Sequence, residues 1–263
     1  MHPIIDTHTH LYDDSFAADR ATVIKNARKV GVKRIITVSE TLADARKNLE
    51  LARLHPELLP TAGLYPTHLK WEVACNLHDF IRQHRNELVA IGEVGLDYWM
   101  VKDDEGKKIQ RRIFESFVEL SLELDLPLNV HSRSAGRHAV TLLLEKGARK
   151  VQLHAFDGKA GAALPAVEAG YFFSIPPSIQ RSRQKQKLVR QLPLSSLLVE
   201  TDSPVLGPDP DQRNEPANIT HSIDAIAAIK NISPEKVIEV VYENTLRLYG
   251  KTVNSPVSNN NGI

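Results

Sequence analysis

Residues 89–97 read Val-Ala-Ile-Gly-Glu-Val-Gly-Leu-Asp, a short apolar run with one carboxylate inside it and a second at its end. Runs of this length are typical of buried β-strands. Because side chains alternate between the two faces of a strand, Glu93 and Asp97 are expected to point to the same side. The following stretch, Ile109–Leu124, has apolar residues at three- and four-residue steps, which predicts a helix.

The same strand-and-helix unit recurs along the chain. Eight apolar or β-branched runs, spaced by about 20 to 40 residues, lie at Ile4–His10, Arg34–Ser39, Leu59–Tyr65, Val89–Asp97, Leu128–Arg133, Val151–Phe156, Tyr171–Ile175 and Leu197–Asp202. Most pairs are separated by helical periodicity, at Phe16–Val30, Leu42–Leu54, Leu77–Arg85, Ile109–Leu124, Arg137–Glu145 and Ser182–Leu192. Strands that alternate with helices predict parallel pairing. Eight units predict an α/β fold of the TIM-type (β/α)8 barrel class, with an open doubly wound sheet as the alternative.

Composition limits the partners and the compartment. The chain has 263 residues, with 33 Lys and Arg against 32 Asp and Glu, and a net charge of +1. This balance argues against a uniformly basic surface, so any phosphate binding must be local. The single cysteine, Cys75, excludes an intramolecular disulfide framework and fits a reducing compartment. Since no apolar run approaches the roughly 20 residues of a membrane span, we expect a cytoplasmic or nuclear protein that is neither secreted nor membrane-bound.

The length fits a single barrel domain, since such barrels commonly occupy about 250 residues. We expect this domain to cover residues 1–251. The remaining residues, 252–263, contain an Asn run without apolar periodicity and predict a flexible tail.

Polar side chains collect at the carboxyl ends of the runs, where a barrel displays its catalytic groups. His8 and His10 are two residues apart, so both imidazoles face one side of the first strand. Such a pair alone is also compatible with surface or hydrogen-bonded core histidines. Further polar residues share a face or end a run: Glu93, Asp97, Asn129, His131, Arg133, His154, Glu200 and Asp202. Because buried ionisable groups are costly unless paired or metal-bound, their convergence predicts a metal centre.

Imidazole and carboxylate ligands suit Zn²⁺, Mn²⁺ or related ions such as Mg²⁺. The candidate ligands are more numerous than one four-coordinate ion needs, so two divalent ions that share one carboxylate are expected. Such a pair supports hydrolysis, because the ions lower the pKa of bound water and neutralise charge on the attacking and leaving oxygens.

Five motifs, in order along the chain, make the sequence recognisable. They read Asp6-Thr7-His8-Thr9-His10, Gly92-Glu93-Val94-Gly95-Leu96-Asp97, Val130-His131-Ser132-Arg133, Leu153-His154-Ala155-Phe156-Asp157-Gly158 and Glu200-Thr201-Asp202-Ser203-Pro204. Together they resemble the TatD family of metal-dependent deoxyribonucleases, a branch of the amidohydrolase-like TIM barrels, over residues 3–249. Three segments look most like the third TatD-domain-containing branch of animals: His131–Arg137, Tyr171–Lys187 and Arg213–Ile219.

The resemblance implies two groups of metal ligands that share a carboxylate: His8, His10, Glu93 and Asp202 for one ion, and Glu93, His131 and His154 for the other. Asp202 would also accept or orient a proton of the attacking water, which makes Glu93 and Asp202 the expected catalytic residues. Members of the family cleave DNA phosphodiesters, typically from a 3′ end, and some cut at abasic sites. The resemblance therefore implies single-stranded DNA or 3′ ends as the partner, with no obligate protein partner.

One position departs from the family pattern. The third run ends Gly63-Leu64-Tyr65-Pro66, where the family usually has Gly-x-His-Pro with the histidine turned toward the site. A phenol can donate a hydrogen bond but is not a cation near neutral pH. His68 follows three residues later and is a candidate for the missing role.

Candidate phosphate and substrate contacts accompany the predicted centre: Tyr65, His68, Asp97, Arg133, Arg137 and Glu200. Arg133 and Arg137 lie at a strand-to-helix junction, where helix amides and guanidinium groups suit phosphate, although an ordinary exposed first turn is the alternative. A basic segment after the seventh run is either a DNA contact or a solvated helix face: Arg181, Arg183, Lys185, Lys187 and Arg190. Four aromatic residues are either base-stacking or packing groups: Trp71, Tyr98, Trp99 and Phe156.

These features favour a metal-dependent deoxyribonuclease, with Arg133 and Arg137 pointing to a phosphodiester. One alternative is hydrolysis of an ester or amide in a smaller substrate, including an aminoacyl ester on tRNA, since a fold does not determine its function. The other is a non-catalytic nucleic-acid-binding protein. The converging polar ligands argue against it, because a pseudoenzyme has no physical need for them.

Overall fold

The computed structural model describes residues 2–250 and Val253. Its parallel strands follow one another in chain order around a barrel: β1 (Ile4–Thr9), β2 (Val32–Thr37), β3 (Leu58–Ala62), β4 (Ala90–Gly95), β5 (Leu128–His131), β6 (Val151–Leu153), β7 (Phe172–Ile175) and β8 (Leu197–Val199). Hydrogen bonds join the last strand to the first, since the Thr7 hydroxyl donates to the Val199 carbonyl (2.9 Å) and the Asp202 amide donates to the His8 carbonyl (2.9 Å). The predicted (β/α)8 barrel is confirmed.

Helices cover the outside of the barrel. They are α1 (Arg20–Lys29), α2 (Leu42–Leu54), α3 (Trp71–Gln83), α4 (Asp104–Leu124), α5 (Gly136–Glu145), α6 (Ala160–Glu168), α7 (Arg183–Gln191), α8 (Ile219–Lys230) and α9 (Pro234–Tyr249). Side-chain caps fix several of their starts, for example Asp103 accepting from the Gly106 amide at 2.7 Å. No helix among the described residues is long and apolar enough to cross a bilayer.

Two apolar clusters hold the molecule together. The larger lies between the strands and the surrounding helices. The smaller joins residues of several strands to the end of α9 and consists of Ile5, Ile36, Ala90, Phe172, Leu198, Leu248, Tyr249 and Val253. Neither cluster includes the polar residues at the carboxyl ends of the strands, where a barrel displays its functional groups.

The predicted tail, 252–263, lies outside the described residues except for Val253. The Val253 side chain is fully buried in the smaller cluster. The extent of the single domain and the flexibility of the tail stay predictions.

Candidate metal centre

Six side chains converge at the carboxyl end of the barrel, and all are buried: His8, His10, Glu93, His131, His154 and Asp202. His8 lies in β1 and His10 directly follows it. Glu93 lies in β4, while His131 ends β5. His154 follows β6 by one residue, and Asp202 follows β8 by three. The structure therefore brings together every residue that the sequence suggested as a metal ligand.

The first group of ligands surrounds one oxygen of Glu93. His8 Nε2 and His10 Nε2 are 3.2 Å apart. Both also approach Asp202 Oδ1, at 3.5 Å and 3.3 Å respectively. Glu93 Oε2 lies 3.8 Å from His8 Nε2 and 3.6 Å from His10 Nε2. Two imidazole nitrogens and two carboxylate oxygens thus face a common point.

The second group surrounds the other oxygen of Glu93. Oε1 lies 2.6 Å from His131 Nδ1 and 2.9 Å from His154 Nε2. These two nitrogens are 3.2 Å from each other. Glu93 therefore offers one oxygen to each group, which is the arrangement expected of a carboxylate that bridges two ions.

Neighbouring side chains determine which nitrogen of each ring faces the centre. His8 Nδ1 lies 2.8 Å from Asn129 Oδ1, an oxygen that only accepts, so Nδ1 carries the proton and Nε2 presents its lone pair to the ligand group. His131 Nε2 lies 3.3 Å from Asp97 Oδ2, which leaves Nδ1 facing Glu93. Hydrogen-bond partners of this kind, on the ring nitrogen that faces away from an ion, orient metal-binding histidines.

The pKa values of these groups follow from burial and from their charged neighbours. Burial, and to a smaller extent nearby His154, lower the pKa of His8 to about 3. Burial also opposes a charge on His10, but the hydrogen bond to Asp202 and the charge of Glu93 outweigh it and raise its pKa to about 9. Burial disfavours the Glu93 carboxylate, yet His154 and His131 hold its pKa well below the usual range.

The donor set fits divalent cations. Each group brings two imidazole nitrogens within 3.2 Å of each other, and such nitrogens repel unless a proton or a cation lies between them. Imidazole and carboxylate are ligands of Zn²⁺ and Mn²⁺. The residues present could therefore hold one ion in each group.

A cavity of about 400 Å³ opens above the two groups. Its walls include residues from segments that carry no candidate ligand within the described ranges. Glu40 follows β2, Tyr65 follows β3 and Lys185 lies in α7, after β7. Arg133 contributes from the loop after β5. The cavity thus has both cationic and acidic groups around the candidate metals.

Two of the predicted substrate contacts lie at this cavity. Arg133 is exposed, and its guanidinium carbon lies 5.3 Å from the centre of the Trp99 ring. Tyr65 is half-buried, and its hydroxyl donates to Asp97 Oδ2 at 3.2 Å. Asp97 is buried behind His131, where its other oxygen accepts the Trp99 amide at 2.9 Å. Asp97 therefore supports the centre from behind.

The other predicted contacts lie away from the cavity lining formed by the described residues. Glu200 is fully buried and accepts hydrogen bonds from the Ala155 amide (2.8 Å) and the Ser174 hydroxyl (2.5 Å). Arg137 and His68 are exposed and do not line the cavity. The structure does not bring these three side chains to the candidate ions.

Sequence reasoning missed two acidic residues. Glu40 directly follows the second run, so the rule that found the ligands could have found it. Asp6 lies inside the first run and is fully buried. Its carboxylate accepts the amide (2.9 Å) and hydroxyl (2.6 Å) of Thr201, which fixes β1 to the segment carrying Asp202.

Comparisons with known proteins agree with this geometry. A model of the family described as TatD related DNase matches residues 5–250. The human deoxyribonuclease TATDN3 is 45% identical over 260 residues, covering 94% of this chain and 95% of the relative. The metal-dependent hydrolase MJ1582 of Methanocaldococcus jannaschii is 33% identical over 93% of this chain and 96% of its own length. The crystal structure of YJJV, a TatD homologue from Escherichia coli, superposes with a TM-score of 0.86 at 25% identity, covering 94% and 97% of the two chains. The chain therefore belongs to the TatD-related DNases, a family of metal-dependent hydrolases.

Proposed function

We propose that this chain uses two divalent ions to hydrolyse phosphodiesters of single-stranded DNA, removing nucleotides from the 3′ end and also cutting at abasic sites. The observation that carries the proposal is the position of Glu93, whose two oxygens lie in separate ligand groups. The deoxyribonuclease relatives support DNA as the substrate. The single cysteine supports a cytoplasmic or nuclear location.

The ions, when bound, supply Lewis acidity and a lowered pKa for an attacking water. The chain supplies the remaining functions. Asp202 lines the cavity beside His10, where its carboxylate can accept a proton from water. Arg133 and Lys185 bring positive charge to the same cavity, and both suit a phosphate that approaches the ions.

Tyr65 distinguishes this cavity from the histidine-bearing family pattern. Its hydroxyl donates to Asp97, so the proton that a histidine would offer to phosphate is here directed to a carboxylate that contacts His131. We infer that the phosphate charge is met by Arg133 and Lys185, and that Tyr65 helps to hold Asp97 in place.

The test compares Glu93→Ala with a matched control, Glu145→Ala. Glu145 is exposed at the carboxyl end of α5, the end of a barrel helix that lies away from the active face. Metal content is measured by mass spectrometry, and cleavage is measured on 5′-labelled single-stranded DNA after addition of Mn²⁺, Zn²⁺ or Mg²⁺. Glu93→Ala should lose at least about 100-fold in kcat/KM, since metal catalysis contributes several kcal/mol.

The control should keep about two ions and full activity. Full activity of Glu93→Ala, or of a rigorously metal-free preparation, would end the two-ion proposal. Product ladders from 5′- and 3′-labelled strands, and from a strand with one abasic site, report polarity and abasic cleavage. Faster hydrolysis of an aminoacyl ester than of DNA would mean that the substrate is an ester and not DNA. DNA binding without cleavage of any substrate would favour a non-catalytic role.

A further inference from the structure

An exposed aromatic surface lies beside the metal cavity. Trp99 and Met100 follow β4 and keep 56% and 59% of their surface exposed, whereas large apolar side chains are usually buried. The Trp99 ring lies 5.3 Å from the guanidinium carbon of Arg133, a residue of the cavity wall. Lys102 Nζ lies 5.9 Å from the same ring. A large ring flanked by two cations suits a partner that is both aromatic and anionic.

The loop that carries Trp99 is held in place by hydrogen bonds. Asp97 Oδ1 accepts the amides of Trp99 (2.9 Å) and Met100 (2.8 Å). The Tyr98 amide donates to the Arg133 carbonyl at 3.0 Å. These hydrogen bonds fix the backbone of the loop, so Trp99 is held beside the cavity wall before a ligand arrives, and the loop need not be ordered at the expense of binding.

The same contacts connect the ring to the metal centre. Asp97, which holds the Trp99 amide, places its other oxygen 3.3 Å from the ligand His131. Arg133 follows His131 by two residues and lies between the ring and the cavity, since it contacts one and lines the other. A phosphate at the centre would therefore have its neighbouring nucleoside beside Trp99.

We propose that Trp99 is a stacking platform for the nucleobase next to the phosphodiester that is cleaved, with Arg133 neutralising the adjoining phosphate. The inference rests on the proposed nuclease function and adds a specificity residue to it. Stacking uses the face of a base, which every base has but which is covered in a duplex. Trp99 therefore favours unpaired bases over paired ones and discriminates little between sequences.

Trp71 provides a matched control. The chain contains two tryptophans, and Trp71 is also partly exposed, at 40%. It too lies beneath a guanidinium, with the Arg112 carbon 4.5 Å from its ring centre. Trp71 begins α3 and does not belong to the cavity lining of the described residues. The two rings have similar surroundings and differ in their relation to the metals.

The experiment measures kcat and KM of metal-loaded Trp99→Ala, Trp99→Phe and Trp71→Ala on a short single-stranded oligonucleotide and on a strand of the same length built from tetrahydrofuran abasic residues, which has the phosphodiesters but no aromatic ring. Trp99→Ala should raise KM for the oligonucleotide roughly tenfold, within the range for loss of one base stack. This rise in KM should exceed the rise on the abasic strand, and Trp99→Phe should restore most of the original KM. Trp71→Ala should match the unmodified protein.

An equal rise in KM on both substrates in Trp99→Ala would overturn the proposal, because the ring would then support the structure of the metal centre and not bind a base. A change in oligomeric state without a rise in KM would also overturn it, since the surface would then contact protein. Neither outcome concerns the nuclease activity of the unmodified protein, which is measured separately.

A binding measurement separates this inference from the proposed function. In Trp71→Phe, Trp99 is the remaining tryptophan and reports its own surroundings by fluorescence. Titration with a phosphorothioate single strand, which is cleaved slowly, should quench this emission, whereas a duplex of the same sequence should quench it less. Quenching without cleavage would support the platform and contradict the nuclease proposal. Cleavage without quenching would support the nuclease proposal and contradict the platform.

Discussion

Asn129 connects the interior of the barrel to the metal centre through one amide group. Its nitrogen donates to the Thr7 carbonyl at 3.0 Å and lies 3.4 Å from the Tyr249 hydroxyl. Its oxygen accepts from His8 Nδ1 at 2.8 Å. The side chain is fully buried, so its orientation is fixed by these partners. Asn129 thereby determines which nitrogen His8 offers to an ion.

Asn129→Ala should lower the affinity for one of the two ions by about 10- to 100-fold, the usual effect of removing an outer partner of a histidine ligand. Competition with a chromophoric chelator measures the change. Asn48→Ala is the control, since Asn48 is also fully buried and hydrogen-bonded, but to β2 and the residue after it. An equal loss of affinity in both variants would mean general destabilisation instead of a specific effect on His8.

Among the elements, strands β4 and β5 lie unusually close together, and two glycines of β4 make this possible. Gly95 has a φ of +150°, and a Cβ there would collide with the carbonyl of His131. A Cβ on Gly92 would lie 2.6 Å from the Asn129 Cβ. The close approach places Glu93 and His131, from adjacent strands, within hydrogen-bonding distance.

Gly95→Ala should lower the free energy of unfolding by about 2–6 kcal/mol, the sum of the strained backbone and the steric collision. Chemical denaturation monitored by circular dichroism measures it. Gly161→Ala serves as the comparison, because a Cβ at Gly161 meets no atom within 4 Å and the residue lies in α6. This variant should be neutral or slightly stabilising. Equal stability of the two variants would disprove the close-packing argument.

The ends of the strands explain why some site residues could be predicted and others could not. Alternation predicts side-chain direction only while the chain is a strand, and β4 ends at Gly95 while β8 ends at Val199. Glu93 lies inside a strand and faces the centre as expected. Asp97 and Glu200 lie beyond the strand ends, and both accept backbone amides; Asp97 reaches the centre only from behind, through His131.

Helix α6 could not be predicted from helical periodicity either. Its sequence, Ala-Gly-Ala-Ala-Leu-Pro-Ala-Val-Glu over Ala160–Glu168, is apolar nearly throughout and lacks the polar face on which helical periodicity depends. The recurrence of eight runs was sufficient to predict the barrel without it. The bond between Asp6 and Thr201 could not be predicted, because it joins residues 195 positions apart.

At the scale of the whole molecule, the metal centre couples stability to pH. The pKa of His10 is raised from 6.5 to about 9, so in the metal-free protein its charged form contributes stability that is fully present below about pH 6.5 and is lost as the pH rises through 9. An ion must displace this proton, because it needs the same lone pair. Metal affinity should therefore rise with pH across this interval.

A fixed excess of Mn²⁺ should raise the melting temperature more at pH 8.5 than at pH 6.5. Each tenfold gain in affinity adds about 1.4 kcal/mol, which is roughly 3–6 °C for a chain of this size. Calorimetric scans with and without chelator at the two pH values measure the effect, and titrations in buffers of different ionisation enthalpy count the released protons. A stabilisation that shrinks as the pH rises would contradict the raised pKa of His10.

Part of the cavity wall comes from segments that carry no candidate ligand among the described residues. Candidate ligands lie in β1, β4 and β5 or in the segments that follow β1, β6 and β8, whereas Glu40, Tyr65 and Lys185 come from segments that follow β2, β3 and β7. These three segments can therefore vary without replacing a candidate ligand, whereas Arg133 and Trp99 follow the strands that carry His131 and Glu93. Exchange of these three loops between relatives offers a way to graft a new substrate preference onto an unaltered hydrolytic centre, and divergence within such a family can proceed by the same route.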